Sequence, residues 1–190
     1  MQTNILWTGR EYYSLENCLI NNTAFRKEIT STIIGEYREK IYLVEYSIRT
    51  NLNWETLFFK VSSRHSNHTH EICFESDGKG NWTHDGAPLT QFQGCIDIDI
   101  SLTPFTNSLP INRLKLSQQQ EQEIQVIYVN LLEQQIVPVC QRYLRLSETE
   151  YHYENIPRDF EANILVDKQG FVVDYPSLFV RKAAIETNYL

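Results

Sequence analysis

The sequence predicts an all-β protein with one long antiparallel meander, in a sheet folded on itself or in an open, barrel-like arrangement with a lined interior. Short runs rich in Tyr, Thr, Ile and Val alternate with period two, which is typical of strands. The connections between the runs are short and carry turn signals. Many runs have bulky residues on both faces, so both faces need cover. With 190 residues, 42% of them hydrophobic, we predict a single domain over residues 1–190.

The strands follow one another with hairpin-length turns. In "EKIYLVEYSIRT", Tyr42, Val44, Tyr46 and Ile48 share one face. "WETLFFKVS" and "HEICFES" predict the next two strands, and "DGKGNW" predicts a hairpin because Gly tolerates positive φ. The later strands are predicted in "CIDIDIS", "EIQVIYVNL", "PVCQRYLRLS", "YHYEN", "FEANILVD" and, as the last, "FVVDY".

Composition excludes several classes of function. The net charge is -7 and no basic tract occurs, so neither a nucleic-acid partner nor an anionic membrane surface is expected. No apolar run approaches the length of about 18 residues that a membrane span needs. The four cysteines lack CxxC spacing, and the opening "MQTNILWTGREYY" has no signal-peptide core. We therefore expect a cytoplasmic protein with reduced thiols.

No catalytic motif stands out. The chain has no G-x-S-x-G and no glycine-rich phosphate loop. We expect a non-enzymatic protein without cofactor or resident metal. The acids whose burial would matter most are Glu16, Asp97, Asp99, Asp167 and Asp174.

The stretch "GCIDIDIS" places two carboxylates on one strand face. Ile96, Ile98 and Ile100 face one way, and Asp97 and Asp99 face the other. Residues two apart on a strand lie about 6.5–7 Å apart at Cα, close to the carboxylate spacing of about 6.5–9.5 Å in inverting glycosidases. Three interpretations remain open: a solvated acidic face, hydrogen-bond acceptors for a ligand, or a catalytic or metal-binding pair.

The next segment, "TPFTNSLPINRL", predicts a stiff polar loop. Two prolines restrict its backbone. Thr103 and Asn107 offer neutral hydrogen-bonding groups, and Arg113 adds a guanidinium, a set that suits hydroxyl-rich or anionic ligand groups. Alternatively, these side chains cap the backbone of their own turn.

Two further groups of side chains have competing interpretations. In "RHSNHTH", His68 and His70 share a strand face with His65 nearby, which suits either a metal or, the favoured interpretation, polar residues at a hairpin tip. Four aromatic residues are candidates for the apolar lining of a pocket, although aromatics on strands are more often core: Trp54, Trp82, Tyr143 and Tyr175.

The string "GCIDIDISLTPFTNSLPINRL" resembles the signature of a family of bacterial proteins of unknown function, designated putative glycolipid-binding. "LWTGREYYSLENCLI", "DGKGNWTHDGAPL" and "FEANILVDKQGFVVDYPSLFVR" are similar to the family in the same order. The resemblance implies an all-β spiral roll, similar in shape to the carriers of bacterial lipoproteins. It implies no reaction and no catalytic residues. The glutamines of "LKLSQQQEQEIQ" depart from the family pattern, which usually has a Gly-containing turn there.

Together these observations predict a binding protein for a glycolipid-like or other amphiphilic small molecule. Arg113 is the expected anchor of the head group, and Asp97 and Asp99 are expected to accept hydrogen bonds from hydroxyls. The alternatives are a hydrolase of a glycoside or ester acting through the two aspartates, or a protein-interaction module. The sequence leaves the oligomeric state open.

Overall fold

The computed structural model describes residues 1–65 and 68–187. These residues form a single 15-stranded sheet and one short α-helix, α1 (Ser108–Leu114), so the all-β prediction is confirmed. The strands are β1 (Gln2–Gly9), β2 (Leu15–Asn22), β3 (Lys27–Tyr37), β4 (Lys40–Thr50), β5 (Thr56–His65), β6 (His68–Ser76), β7 (Trp82–His84), β8 (Ala87–Pro88), β9 (Asp97–Ile100), β10 (Glu121–Asn130), β11 (Gln135–Arg145), β12 (Glu150–Ile156), β13 (Glu161–Val166), β14 (Val172–Tyr175) and β15 (Phe179–Thr187).

The strand order starts in the middle of the sheet and runs outwards in two directions. From β1 the chain meanders through β2 to β8 at one edge, and on the other side β15 to β10 lead to β9 at the opposite edge. All pairs are antiparallel except β9 and β10, which are parallel. This differs from the predicted meander because α1 and its flanking turns, not a hairpin, join these two strands, and parallel strands need such a crossover.

The sheet is not closed into a barrel, but the segment that leads into β9 contacts the glycine-rich turn before β7, and we call this contact the seam. Residues 89–96 carry the chain from β8 to β9 across this seam. The Gly94 N–H donates to the Gly80 carbonyl at 3.0 Å, and the Trp82 indole donates to the Cys95 carbonyl at 2.6 Å. The predicted Gly-rich hairpin therefore forms one side of this contact.

Gly80 is expected to tolerate no side chain at this seam. Its φ is +85°, and a Cβ there would lie 2.8 Å from the Gly94 backbone. We expect Gly80→Ala to lower the free energy of unfolding by about 2–3 kcal/mol in urea titration, because steric clash adds to backbone strain. Gly86→Ala is the matched control, with φ +79° and no atom within 4 Å. Equal losses in both variants would show that the close approach contributes nothing.

The core lies inside the folded sheet and follows the predicted alternation. Tyr42, Val44, Tyr46 and Ile48 of β4 are all buried. One cluster joins β1 to β7 with β9 and β10, and a second joins α1 with β11 to β15. The Trp7 indole bridges towards the second cluster by donating to the Val172 carbonyl at 2.8 Å.

The segment predicted as a stiff loop is helical and buried. A 3-10 turn at Phe105–Asn107 leads directly into α1. Both prolines fit because Pro104 precedes the turn and Pro110 lies in the first turn of α1, where backbone N–H groups have no intrahelical partner. This segment covers the acidic face of β9, so the solvated-face interpretation of Asp97 and Asp99 is wrong.

The remaining sequence predictions each concern one part of the fold. "FVVDY" forms β14 and is followed by β15, which the sequence pattern did not predict. His65 pairs with His68 across β5 and β6, while Ser66 and Asn67 at the predicted hairpin tip lie outside the described residues. Among the described residues, no helix is long and apolar enough to cross a membrane.

Candidate functional site

A cavity of about 540 Å³ opens between β9, the strands β10 to β12, and the turn from β14 to β15. This volume lies in the range of small-molecule sites. We call it the tyrosine cavity, after Tyr12, Tyr128, Tyr153 and Tyr175 in its wall. Its polar residues include Glu11, Asp99, Thr103, Asn107, Gln141 and Asp159, and its apolar residues include Ile100, Val139, Ile156, Phe160, Leu178 and Phe179.

The four tyrosines line the same cavity as the Asp99 carboxylate, and their phenol groups are free. Within residues 1–65 and 68–187, no hydroxyl of Tyr12, Tyr128, Tyr153 or Tyr175 has a hydrogen-bond partner in the protein. Burial raises the pKa of each phenol, and the charge of Asp99 raises it further. The pKa of Tyr12 rises to about 12, so the phenols remain protonated donors at neutral pH.

Asp99 is held in place by two side-chain donors. The Gln141 amide donates to Oδ2 at 2.6 Å, and the Thr106 hydroxyl donates to Oδ1 at 3.1 Å. Thr106 in turn accepts a hydrogen bond from the Ile100 N–H at 3.2 Å. Burial raises the pKa of Asp99, while these two donors act in the opposite direction. The carboxylate is thus a fixed acceptor in the cavity wall.

Asn107 and Tyr143 form a second polar unit of the wall. The Tyr143 hydroxyl donates to the Asn107 Oδ1 at 3.0 Å. Tyr143 is buried behind the wall, whereas Asn107 lines the cavity. This bond leaves the amide N–H groups of Asn107 for the cavity.

Thr103 ties the cavity wall to a buried carboxylic acid, Glu16. The Oε1 atom of Glu16 accepts hydrogen bonds from the hydroxyls of Tyr46 at 2.6 Å, Ser31 at 2.8 Å and Thr103 at 2.9 Å. Its Oε2 atom has no partner in the described chain. Burial raises the pKa of Glu16 to about 7, although the three hydroxyl donors lower it. Glu16 therefore titrates near neutral pH.

Asp97 and Arg113 neutralise each other away from the cavity. The Arg113 Nη2 lies 2.6 Å from Oδ2 of Asp97, and Nε lies 3.1 Å from both carboxylate oxygens. Asp97 is fully buried, and burial raises its pKa despite the hydrogen bonds and charge of Arg113. Neither residue lines the tyrosine cavity. The pair fastens α1 to β9.

Comparison with protein families identifies the chain. The family described as "Putative glycolipid-binding" matches residues 4–181. The chain belongs to this family. The resemblance carried by "GCIDIDISLTPFTNSLPINRL" is thereby confirmed, and the matched range includes every residue of the tyrosine cavity.

One solved structure supports the family fold. The chain is similar to the crystal structure of a DUF1089 family protein from Pseudomonas aeruginosa, with 32% sequence identity and a TM-score of 0.78. The similarity covers 88% of this chain and 92% of that one. A search of curated proteins finds no match.

The structure brings together four of the nine residues that the sequence suggested for a binding site. Asp99, Thr103, Asn107 and Tyr175 line the tyrosine cavity. Trp82 is buried at the seam, and Trp54 lies under the Lys27 ammonium at 4.7 Å, in a separate surface depression. Asp97, Arg113 and Tyr143 support the wall from behind. For these five residues, direct contact with a ligand stays a prediction.

Sequence reasoning left Gln141 and three of the four cavity tyrosines out of the site. One signal was available for Gln141. It alternates with Val139 and Tyr143 on a strand, so an amide occupies a position that the pattern assigns to the interior. Tyr12 lies in a turn, and only the fold of the sheet brings it to β12 and β14.

One group of side chains has metal-ligand proximity among the described residues. Ligand atoms of His152, Glu154 and Glu161 lie within 4.8 Å of one another. Glu154 already pairs with Arg142 at 3.3 Å and Arg158 at 3.0 Å. The two guanidinium groups occupy the carboxylate, so the group is better described as a salt-bridge network.

Proposed function

We propose that the chain binds the uncharged, hydroxyl-rich head group of an amphiphile, such as a glycolipid, in the tyrosine cavity. The observation that carries the proposal is that one cavity is lined both by the fixed carboxylate of Asp99 and by four tyrosines whose hydroxyls have no partner among the described residues. The family description points to the same ligand class.

The polar groups of the cavity match the chemistry of sugar hydroxyls. A sugar hydroxyl both donates and accepts, so it can accept from a tyrosine phenol while it donates to Asp99. A buried donor or acceptor gains most from a partner when water is excluded. The cavity therefore favours a ligand with several hydroxyls over an apolar one.

The apolar part of the cavity suits the attached chain or the faces of a sugar ring. Tyr153, Phe160 and Tyr175 form an aromatic cluster, with ring centroids 6.1 Å apart for each of the three pairs. Phe160 belongs to the turn between β12 and β13 and is 36% exposed. An aromatic ring at the mouth of a cavity can contact the apolar portion of an amphiphile.

The charge of the cavity favours a neutral head group. Glu11, Asp99 and Asp159 line it, and no Lys or Arg does so in the part of the chain that the structure describes. An anionic head group would be repelled by these carboxylates. This distinguishes a neutral sugar from a phosphate or sulfate at this site.

Hydrolysis through Asp97 and Asp99 finds less support in the geometry. A glycosidase needs both carboxylates at the scissile bond. Asp99 lines the cavity, but Asp97 is buried against Arg113 and does not. The arrangement offers one acceptor, which is sufficient for binding a hydroxyl.

Binding is expected to depend on the tyrosine hydroxyls. We expect octyl glucoside, below its micelle concentration, to bind the protein in isothermal titration calorimetry. The double variant Tyr153→Phe and Tyr175→Phe keeps both rings but removes two donors. Because each hydrogen bond contributes about 0.5–1.5 kcal/mol, its affinity should fall about tenfold.

The exposed Tyr13, which lies outside the cavity, provides the control. Tyr13→Phe should leave affinity unchanged, and all variants should retain the unfolding transition of the parent protein. Mass spectrometry of lipid extracts from purified protein adds an independent measurement. If no alkyl glycoside binds and no amphiphile co-purifies, the proposal is wrong.

A further inference from the structure

A second, smaller cavity lies beside the tyrosine cavity and has the opposite charge. Its volume is about 160 Å³, and it opens between the turn joining β3 to β4, the paired ends of β5 and β6, and the turn joining β10 to β11. We call it the histidine cleft, after His65, His68 and His70 in its wall. Tyr12 and Tyr37, with ring centroids 5.7 Å apart, lie between the two cavities.

Strand register explains how the histidines come together. Tyr42 of β4 pairs with His65 of β5, and His65 pairs with His68 of β6. His70 pairs with Ser63, two residues before His65, so it lies on the same face. Lys40 shares this face with Tyr42 by the same alternation. The pattern "RHSNHTH" thus supplies one row of imidazoles that faces into the cleft.

The cleft concentrates positive charge in a protein whose net charge is -7. Arg38, Lys40 and Arg64 contribute to its lining, and no Asp or Glu does so among the described residues. Within the same residues none of the three cations forms an ion pair, and Arg38 stacks on the Tyr37 ring at 5.0 Å. The three imidazoles add N–H donors in either tautomer.

This lining suits an anion better than a metal ion. Within the part of the chain that the structure describes, the three imidazoles do not bring their ligand nitrogens close enough to be a metal-binding group. The neighbouring guanidinium and ammonium groups would repel a cation. An oxyanion would accept hydrogen bonds from the Arg38 and Lys40 side chains and from the imidazoles.

The opposite wall of the cleft is apolar. Leu102, Leu131 and Leu132 form most of it. The two leucines Leu102 and Leu131 are buried and belong to the main core cluster. A ligand that contacts both walls would carry its negative charge next to an apolar group.

We propose that the histidine cleft is an anion-binding site for a phosphate group, with space beside it for an apolar substituent of the same ligand. The proposal does not depend on sugar binding in the tyrosine cavity, because the two sites have separate linings and opposite charges. A phosphorylated amphiphile and free phosphate share the chemistry that the cleft recognises.

The test compares two probes in calorimetric titration at low ionic strength. These are inorganic phosphate and dihexanoyl phosphatidic acid below its micelle concentration. We expect binding that weakens in about 0.5 M NaCl, since salt screens exposed charges. The double variant Arg38→Asn and Lys40→Gln should weaken binding about tenfold. Asn fits position 38 because φ there is +50°.

The control removes the same charge elsewhere. Lys168→Gln with Lys182→Gln alters two exposed lysines outside the cleft and should leave affinity within about twofold. Tighter binding of the lipid than of inorganic phosphate identifies an amphiphile as the ligand, and equal affinity identifies phosphate alone. The proposal is overturned if neither probe binds, or if both double variants weaken binding equally. Octyl glucoside binding, measured on the same variants, should stay unchanged.

Discussion

Replacing Arg113 by Met is expected to lower the free energy of unfolding by about 3–5 kcal/mol. The change leaves the carboxylate of Asp97 buried without its cation, and an uncompensated buried charge is among the most destabilising changes in a protein. Urea titration at pH 7 measures the loss. The loss should shrink as the pH is lowered, because burial raises the pKa of Asp97 and protonation removes the charge.

Two further variants separate this effect from a general sensitivity of α1. The double variant Arg113→Met with Asp97→Asn should recover most of the stability, because no charge is left in the interior. Arg10→Met breaks the exposed pair with Asp174 and should cost less than about 1 kcal/mol. If the double variant is no more stable than Arg113→Met, the ion pair is not the reason for the loss.

The Glu16→Gln variant is expected to become more stable than the parent protein as the pH rises. Burial raises the pKa of Glu16 from 4.5 to about 7, so between these pH values the folded protein holds a proton that the unfolded chain has released. The free energy of unfolding of the parent therefore falls with rising pH, by about 3 kcal/mol in total. The glutamine side chain of the variant cannot ionise, and its amide oxygen can keep the hydrogen bonds from Tyr46, Ser31 and Thr103.

Chemical unfolding at pH 4.5 and pH 8 measures this linkage as a difference between parent and variant. Between pH 4.5 and pH 8, the free energy of unfolding of Glu16→Gln relative to that of the parent should rise by about 3 kcal/mol. Glu45→Gln, on the exposed face of β4, is the control and should show almost no change with pH. A difference that is the same at both pH values would mean that Glu16 is ionised throughout, contrary to its burial.

Local alternation was sufficient to predict most of the sheet. In β4 every residue assigned to the inner face is buried. Successive side chains of a strand point to opposite faces, so a strand with one buried face has apolar residues at every second position. The parallel pairing of β9 with β10 could not be predicted, since it depends on where the chain crosses between the two edges. The short helix was also not predicted, because Pro104 before it and Pro110 in its first turn resemble the prolines of a loop.

The site was only partly predictable because its members come from distant segments. Asp99 and Thr103 lie within one motif, and that motif was found. Tyr12, in a turn, and Tyr128, on a strand, join them only through the folding of the sheet, and a single tyrosine carries no mark of a pocket. Arg113 looked like a ligand anchor, but the sequence could not show that Asp97 would be its partner.

The pairing of β1 with β15 has a consequence for biosynthesis. These strands are neighbours in the middle of the sheet, yet they are the first and last strands along the chain. During translation the two halves can each form their local hairpins, but the junction between them has to wait for β15. Until then β1 and β14 present open strand edges that invite pairing with other chains. A ribosome-associated chaperone would therefore be most useful to this sheet in the interval before β15 emerges.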